Sequence, residues 1–213
     1  MKAFYNWSDK DWVKLLESNV EIIRKEAISL MNEPKGNWLK VHPDYVEGNI
    51  PWRTFEMVFF GMKIKDNLIH CNATAELLSQ IPDLITADFS LLPPHTHIKP
   101  HKGYSKMIVR NHLPLIVPAG DLGIRVDDQV VKWEEGKLIS FNDSLEHEAW
   151  NKTDHYRLVM MVDVASPEFE YSAQQICKYK IENMDDPFLL SIASKEKWME
   201  YFRKGEVCLG EIT

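Results

Sequence analysis

The sequence predicts a mainly β fold with flanking α-helices. Between Thr86 and Ala165, short runs rich in β-branched and aromatic residues alternate with turn residues at even spacing, which is typical of a barrel or sandwich. On both sides of this block the apolar residues recur at helical intervals instead. We therefore expect one domain, with a helical N-terminal part (residues 1–85), a β core (86–167) and a helical C-terminal extension (168–213).

The composition is that of one globular domain. The chain has 213 residues, 45% of them hydrophobic and 27% charged, and a chain of this size buries roughly 70% of its unfolded surface. Its three cysteines, Cys71, Cys177 and Cys208, form no CxxC pair. That pattern indicates a reducing compartment and argues against a thiolate metal site.

Charge and hydropathy argue against two classes of partner. The net charge is −7 and no run of basic residues could follow a phosphate backbone, so we expect no nucleic acid. The first residues turn polar too early for a signal peptide, and no apolar stretch approaches the ~20 residues that span a bilayer. We therefore expect a cytoplasmic protein with no membrane partner.

An amphipathic helix is predicted near the N-terminus. Apolar residues recur at roughly helical spacing from Ser8 to about residue 33, and Ser8 with Asp11 resembles a capping box. The turn residues at 34–36 would end this helix.

The other elements follow from composition and turn signals. Outside the core we expect one strand and three helices, at residues 52–64, 72–81, 173–181 and 194–203 respectively. The last two helices could pack over the sheet or form a homodimer contact. Inside the core the predicted strands are TADFSLL, HTHIKPH, SKMIVRNHLPLIVP, GIRVD, QVVKW, KLISF, HEAWN and RLVMMVDVA.

Histidines cluster in the predicted β core, at His95, His97, His101, His112 and His147. Imidazole is a common ligand of first-row metals, and a small barrel can present several imidazoles from different strands. A single histidine on a strand is more often a surface or core residue, but the clustering favours a metal site.

The segment around His101 partly matches the facial triad of non-haem iron sites. In that triad a carboxylate lies two positions after the first histidine, and a distal histidine completes the set. Here Gly103 occupies the carboxylate position, and His147 follows His101 by 46 residues. The protein would then supply two imidazoles, with water or a small anion in the third place.

Arg157 opens the apolar strand RLVMMVDV, where a guanidinium needs an anionic partner. The carboxylate of a small cosubstrate could supply it through a bidentate contact, and a salt bridge to an acidic neighbour is the alternative. Ser90 and His112, on strands flanking His101, could each donate a hydrogen bond to such a carboxylate.

Between Ser90 and Pro167 the chain resembles the aspartyl/asparaginyl β-hydroxylase family. The matching segments are IKPHKG, VRNHLPLIVP, GIRV, KWEEGKLISFNDSLEHEAWN and YRLVMMVDVASPE. The resemblance implies a double-stranded β-helix, that is, a jelly-roll, cupin-like fold. It also implies an oxygenase that depends on Fe(II), 2-oxoglutarate and O₂.

The resemblance also implies roles for particular residues. His101 and His147 would be the iron ligands. The family has no carboxylate ligand two positions after the first histidine, which agrees with Gly103 at that position. The cosubstrate 2-oxoglutarate would bind to Arg157, with Ser90 and His112 completing its site.

Residues of the substrate site are predicted on the same strands. Arg110 matches the family's arginine for the substrate carboxylate, whereas Asp88 stands where the family has a lysine, which weakens the case for an acidic substrate side chain. His97 would share a strand face with His101, and so line the cleft, if the pleat is regular; a surface position is the alternative. Asp143 could accept a hydrogen bond near the metal or belong to a plain turn.

The predicted function is hydroxylation of an unactivated carbon, preferably the β-carbon of an amino acid or amino-acid-derived small substrate. The substrate could be free, carrier-bound or part of a short peptide, and the by-products would be succinate and CO₂. Two alternatives remain: a halogenase that binds chloride beside Gly103, and a cupin-type isomerase or binding protein with His95 and His97 as metal ligands.

Overall fold

The computed structural model describes residues 2–32, 37–41 and 43–207. The predicted helix end at residues 34–36 and Cys208 lie outside these ranges. The helices are α1 Asp11–Ser18, α2 Val20–Asn32, α3 Lys65–Leu68, α4 Asn72–Leu78, α5 Ala173–Glu182, α6 Pro187–Ile192 and α7 Lys195–Lys204, with a 3₁₀ turn at Pro43–Tyr45.

The strands form two sheets. They are β1 Phe4–Tyr5, β2 Leu39–Lys40, β3 Val46–Glu47, β4 Arg53–Phe59, β5 Met62–Ile64, β6 Leu84–Leu92, β7 Thr96–His101, β8 Ile108–Ile116, β9 Leu122–Val126, β10 Gln129–Val131, β11 Ile139–Phe141, β12 His147–Asn151, β13 Arg157–Ala165 and β14 Glu206–Val207.

The larger sheet has the order β1-β11-β8-β13-β6-β4-β5-β14, with β2 beside β4, and the smaller sheet has the order β10-β9-β12-β7-β3. In both sheets the strand pairs are antiparallel, apart from β14 with β5 in the larger sheet. An apolar cluster that includes Leu92 and Val159 of the larger sheet and Ile98 and Ile124 of the smaller one fills the space between them. This arrangement confirms the predicted jelly-roll core with flanking helices.

Strand alternation gives the larger sheet two different faces. Phe89 and Met160 point away from the smaller sheet and pack against α1, α2 and α4, as do their same-face neighbours. Ser90 and Arg157 lie on the opposite face, toward the smaller sheet. The helices therefore cover the outer face, and the polar side chains of the inner face are enclosed between the sheets.

The C-terminal helices pack on the same sheet. Ile176 and Ile181 of α5 and Trp198 of α7 form one buried cluster with Ile85 and Ile108. Of the two roles expected for these helices, packing over the sheet is therefore observed. The short helix α6, which the sequence did not predict, begins with Pro187 at its first position and the side chain of Asp186 as its N-cap.

Two predicted elements are each divided in the structure. The N-terminal helix breaks at Asn19, whose side-chain amide bonds to the Leu15 carbonyl at 2.8 Å, and the predicted capping box is wrong because Lys10 is the N-cap and makes no side-chain cap. The strand over residues 52–64 is a hairpin, because Phe60 and Gly61 both have positive φ and turn the chain back.

No helix among the described residues has the length and apolar character needed to cross a bilayer.

Leu16 tests whether the N-terminal helices stabilise the sheet. Its side chain is fully buried, so Leu16→Ala should lower the free energy of unfolding by about 2–5 kcal/mol, measured by urea denaturation. The control Ile22→Ala removes a side chain that is 48% exposed and should change stability by less than about 0.5 kcal/mol. Equal effects of the two changes would show that the helices do not depend on this packing.

Candidate active site

His101 and His147 lie directly opposite each other on the antiparallel strands β7 and β12. Their ring centroids are 4.2 Å apart, at an interplanar angle of 53°. His147 is buried and His101 is half-buried. The structure thus brings together the two histidines that the sequence predicted as metal ligands.

A β-bulge places His101 inside the barrel. His147 pairs with His101 but Ala149 pairs with Ile98, so β7 spans three residues where β12 spans two. The extra residue moves His101 onto the face of Ile98, which packs in the cluster between the sheets.

The prediction that His97 shares this face is wrong, because the pleat is interrupted. The His97 ring lies 2.7 Å from Glu148 and 3.7 Å from Glu47, both of which are away from the two site histidines. His95 is exposed and pairs with Asp154. The structure therefore gives no support to a cupin-type site built on His95 and His97.

Both site imidazoles are held in one tautomer. The Nδ1 atom of His101 lies 2.7 Å from the Lys99 carbonyl oxygen, and that of His147 lies 2.9 Å from the Leu145 carbonyl oxygen. Because a carbonyl oxygen only accepts, each Nδ1 must donate, and each Nε2 keeps a lone pair.

Burial keeps these rings neutral. It lowers the pKa of His147 to about 3, assisted by His101 and Arg110, and it also lowers the pKa of His101. Two neutral imidazoles with unprotonated Nε2 atoms are the form that binds a divalent metal.

Asp143 fills the space beside Gly103. A Cβ atom on residue 103 would lie 2.0 Å from Oδ2 of Asp143, and the Gly103 amide donates to the Asp143 carbonyl at 2.7 Å. The carboxylate is fully buried, and neither of its oxygens has a hydrogen-bond partner among the described residues. The Asp143 carboxylate thus occupies the space in which a side chain on residue 103 would begin.

The charge state of Asp143 depends on its surroundings. Burial raises its pKa to about 7, while Arg110, with Nη2 at 3.5 Å, opposes that rise. Within the described part of the chain, no group of three or more His, Cys, Asp or Glu side chains is arranged to hold a metal. The site consequently offers two imidazoles as ligands, with the carboxylate of Asp143 nearby.

Unpartnered hydrogen-bond donors lie deeper in the barrel. The Nδ1 atom of His112 accepts from Trp133 Nε1 at 3.3 Å, so Nε2 carries the proton, and that buried atom has no partner. Burial, together with Arg157 and other positive neighbours, holds the pKa of His112 well below its usual value, so the ring is neutral.

Arg157 is the largest of the fully buried side chains. Its guanidinium stacks over Trp133 at 4.7 Å from the ring centroid and donates from Nη1 to the Ser90 carbonyl at 3.4 Å, while Nε has no hydrogen-bond partner in the described part of the chain. Burial lowers its pKa to about 9, which still leaves it charged at neutral pH. The Ser90 hydroxyl accepts from Trp52 Nε1 at 2.9 Å and keeps its own proton to donate. These donors fit a buried carboxylate.

Arg110 is already paired within the protein. Nε and Nη2 donate to the two oxygens of Asp163 at 2.8 and 2.7 Å, and the Tyr104 hydroxyl donates to Asp163 at 3.3 Å. The predicted substrate arginine therefore lies on the inner face of the sheet, but two of its five N–H donors are already engaged with Asp163.

Sequence reasoning missed several contributors to the site. The sequence patterns do not identify Trp52, Trp133 or Asp163 as residues of the site. The available signal was the tryptophan N–H, which needs an acceptor when buried and here finds His112 or Ser90. No local sequence pattern indicates Asp163, because its ion pair with Arg110 depends on the pairing of β13 with β8.

Known proteins resemble this chain in sequence. A sequence profile of the family described as Aspartyl/Asparaginyl beta-hydroxylase matches residues 17–167. The ornithine lipid ester-linked acyl 2-hydroxylase of Rhizobium tropici is 36% identical over 76% of this chain and 60% of its own length. The human aspartyl/asparaginyl beta-hydroxylase is 32% identical over 79% of this chain and 23% of its own length.

The chain therefore matches only part of each of these relatives. A solved oxidoreductase of the 2OG-Fe(II) oxygenase family from Burkholderia pseudomallei aligns with 65% of this chain and 77% of its own, with 11% identity and a TM-score of 0.48. That likeness is too distant to support a functional argument.

Metal binding should depend on the two facing histidines. Loss of a direct ligand costs at least as much as loss of a supporting residue, so His101→Ala and His147→Ala should each weaken Fe(II) binding by ~100-fold or more. Anaerobic titration against a chelating dye measures this. His95→Ala is the matched control, because His95 is an exposed histidine in the turn before β7, and an equal loss in that variant would contradict the site.

Contact between Gly103 and Asp143 can be tested by a double-mutant cycle. Gly103→Ala should destabilise the protein by ~1–3 kcal/mol, because its new methyl group overlaps the carboxylate. Adding Asp143→Gly should recover most of that loss, giving a coupling of ~1 kcal/mol or more in chemical denaturation. Strictly additive effects would show that the two positions are not in contact.

Proposed function

The chain belongs to the aspartyl/asparaginyl β-hydroxylase family, and on that premise we propose that it is an Fe(II)- and 2-oxoglutarate-dependent dioxygenase. It hydroxylates an unactivated carbon, preferably the β-carbon, of an amino acid or amino-acid-derived small substrate. The observation that carries the proposal is the pair of neutral imidazoles on β7 and β12, together with the buried unpartnered donors of His112 and Arg157 on the larger sheet.

His101 and His147 would hold the iron through their Nε2 atoms. Bound Fe(II) supplies oxygen activation coupled to oxidative decarboxylation of 2-oxoglutarate to succinate and CO₂. The protein's part is to fix the two rings, which the Lys99 and Leu145 carbonyls do. Phe141, fully buried and 5.6 Å from the His147 ring, excludes water from that side.

Arg157 would bind the distal carboxylate of 2-oxoglutarate. A buried guanidinium with an unpartnered Nε gains a charge-assisted hydrogen bond from an incoming carboxylate, and the His112 Nε2–H and the Ser90 hydroxyl supply two more donors. Because these groups are already desolvated and held by Trp133 and Trp52, binding requires little reorganisation.

Asp143 argues against the halogenase alternative. Chloride would have to bind next to Gly103, where the Asp143 carboxylate is already buried. A second anion there would meet direct repulsion in a poorly solvated site. Turnover with and without chloride, followed by mass analysis of the product, separates the two outcomes.

A lipid acyl chain is a second candidate substrate. Its support is the 36% identical relative, which is named as a hydroxylase of an ester-linked acyl chain of ornithine lipid. Succinate release measured with free amino acids and, separately, with detergent-dispersed aminoacyl lipids distinguishes the two classes.

Arg157 provides the test of cosubstrate binding. Anaerobic titration of the Fe(II) protein with 2-oxoglutarate should produce a metal-to-ligand charge-transfer band. Arg157→Ala should weaken that binding by ~30-fold or more, as expected when a buried charge pair loses one partner. Arg157→Lys should not restore it fully, because an ammonium cannot make the bidentate contact.

The matched control is Arg125→Ala, which removes an arginine paired with Glu146 and Glu148. Its affinity for 2-oxoglutarate should match that of the wild type. If no band appears, or if both arginine variants behave alike, the oxygenase proposal fails.

A further inference from the structure

We propose that Asp88 and Glu56 form a subsite for a protonated amine, so that the substrate of this enzyme carries an ammonium group. The inference rests on the proposed function, because it names the class of substrate that would bind beside the proposed iron and 2-oxoglutarate sites.

Both carboxylates lie on the inner face of the larger sheet. Glu56 on β4 is directly opposite Asp88 on β6. Asp88 in turn is opposite Met161 on β13, and Met161 is opposite His112 on β8. The two acids therefore occupy the same row of the sheet as His112, and Asp88 is two residues from Ser90 on the same face.

Two like charges directly opposite each other destabilise a sheet unless something lies between them. Asp88 is only 4% exposed, and its Oδ1 atom has no hydrogen-bond partner. Glu56, half-buried, interacts with Thr54. Burial raises the pKa of both carboxyl groups. The charge of Glu56 raises the pKa of Asp88 further, and the charge of Asp163 raises the pKa of both groups.

Among the residues that the structure describes, no Lys, Arg or His side chain forms a salt bridge with this pair. Arg110 donates two hydrogen bonds to Asp163, and Arg157 stacks on Trp133 and donates to the Ser90 carbonyl. Both guanidiniums act on Asp88 only through longer-range attraction. Among the described residues, this row and its neighbours on the inner face carry three carboxyl groups, of Glu56, Asp88 and Asp163, against two guanidiniums, and the carboxyl group of Asp143 also lies beside Arg110.

A primary ammonium group matches this imbalance. It is compact, carries one positive charge and donates three hydrogen bonds, which two carboxylates from adjacent strands can accept. A divalent metal fits less well, because it needs more oxygen ligands than this pair offers and the described residues form no such group. In a desolvated site each ammonium–carboxylate hydrogen bond is charge-assisted and strong.

The test compares two probes of equal length, 1,5-diaminopentane and 1,5-pentanediol. The protein is loaded with Mn(II) and 2-oxoglutarate, and the paramagnetic relaxation of the probes' methylene protons reports binding near the metal. The diamine should bind wild-type protein at least ~10-fold more tightly than the diol, a difference of ~1.4 kcal/mol.

Two conservative variants remove the charges separately. Asp88→Asn and Glu56→Gln should each abolish the preference for the diamine, while Asp128→Asn, which changes an exposed acid in the turn after β9, should retain it. Thermal unfolding shows whether each variant is folded. Because the two variants alter different strands, one remains informative if the other does not fold.

The outcomes separate this inference from the proposed function. If the diol binds as tightly as the diamine, or if the preference survives in both variants, the pair is a proton-sharing carboxyl pair only and the subsite is refuted. Failure of Mn(II) to bind in a His101-dependent manner contradicts the proposed function instead. In that case the diamine and the diol are compared by calorimetry on the metal-free protein. The subsite is again supported by tighter binding of the diamine that both variants abolish, and refuted by equal binding.

Discussion

The site depends on one irregularity in strand pairing. A regular pleat between β7 and β12 would put His97 and His101 on one face, with residues 98 and 100 on the other. The bulge between His101 and Ile98 instead turns His101 inward and leaves His97 beside Glu148 on the outer surface. An extra residue in one strand thus decides which histidine meets His147.

The larger sheet separates two kinds of chemistry by alternation. Its outer face is apolar and packs against helices, which gives the barrel its stability. Its inner face carries charged and hydrogen-bonding groups, and those of Asp88, Ser90, His112, Arg157 and Asp163 are buried. Such groups are costly to bury unpaired, so their retention here is consistent with a ligand that completes them.

Electrostatic balance links the parts of the interior. Arg110 neutralises Asp163 and lies near Asp143, whereas Arg157 is held by a tryptophan ring and a carbonyl and is not in a salt bridge. The positive side of the barrel therefore suits a dicarboxylate cosubstrate, and the acidic pair at Glu56 and Asp88 suits the opposite charge. The two ligands would occupy regions of opposite sign on the inner face of one sheet.

The sequence by itself determined the elements and most of the candidate ligands. Period-2 runs located β6, β7, β12 and β13, because each strand buries at least one face, and residue chemistry with the family motif pointed to His101, His147 and Arg157. Only the tertiary structure decided which groups meet. The position of Asp143 beside Gly103 and the pairing of Glu56 with Asp88 depend on register between strands distant in sequence, which local patterns do not encode.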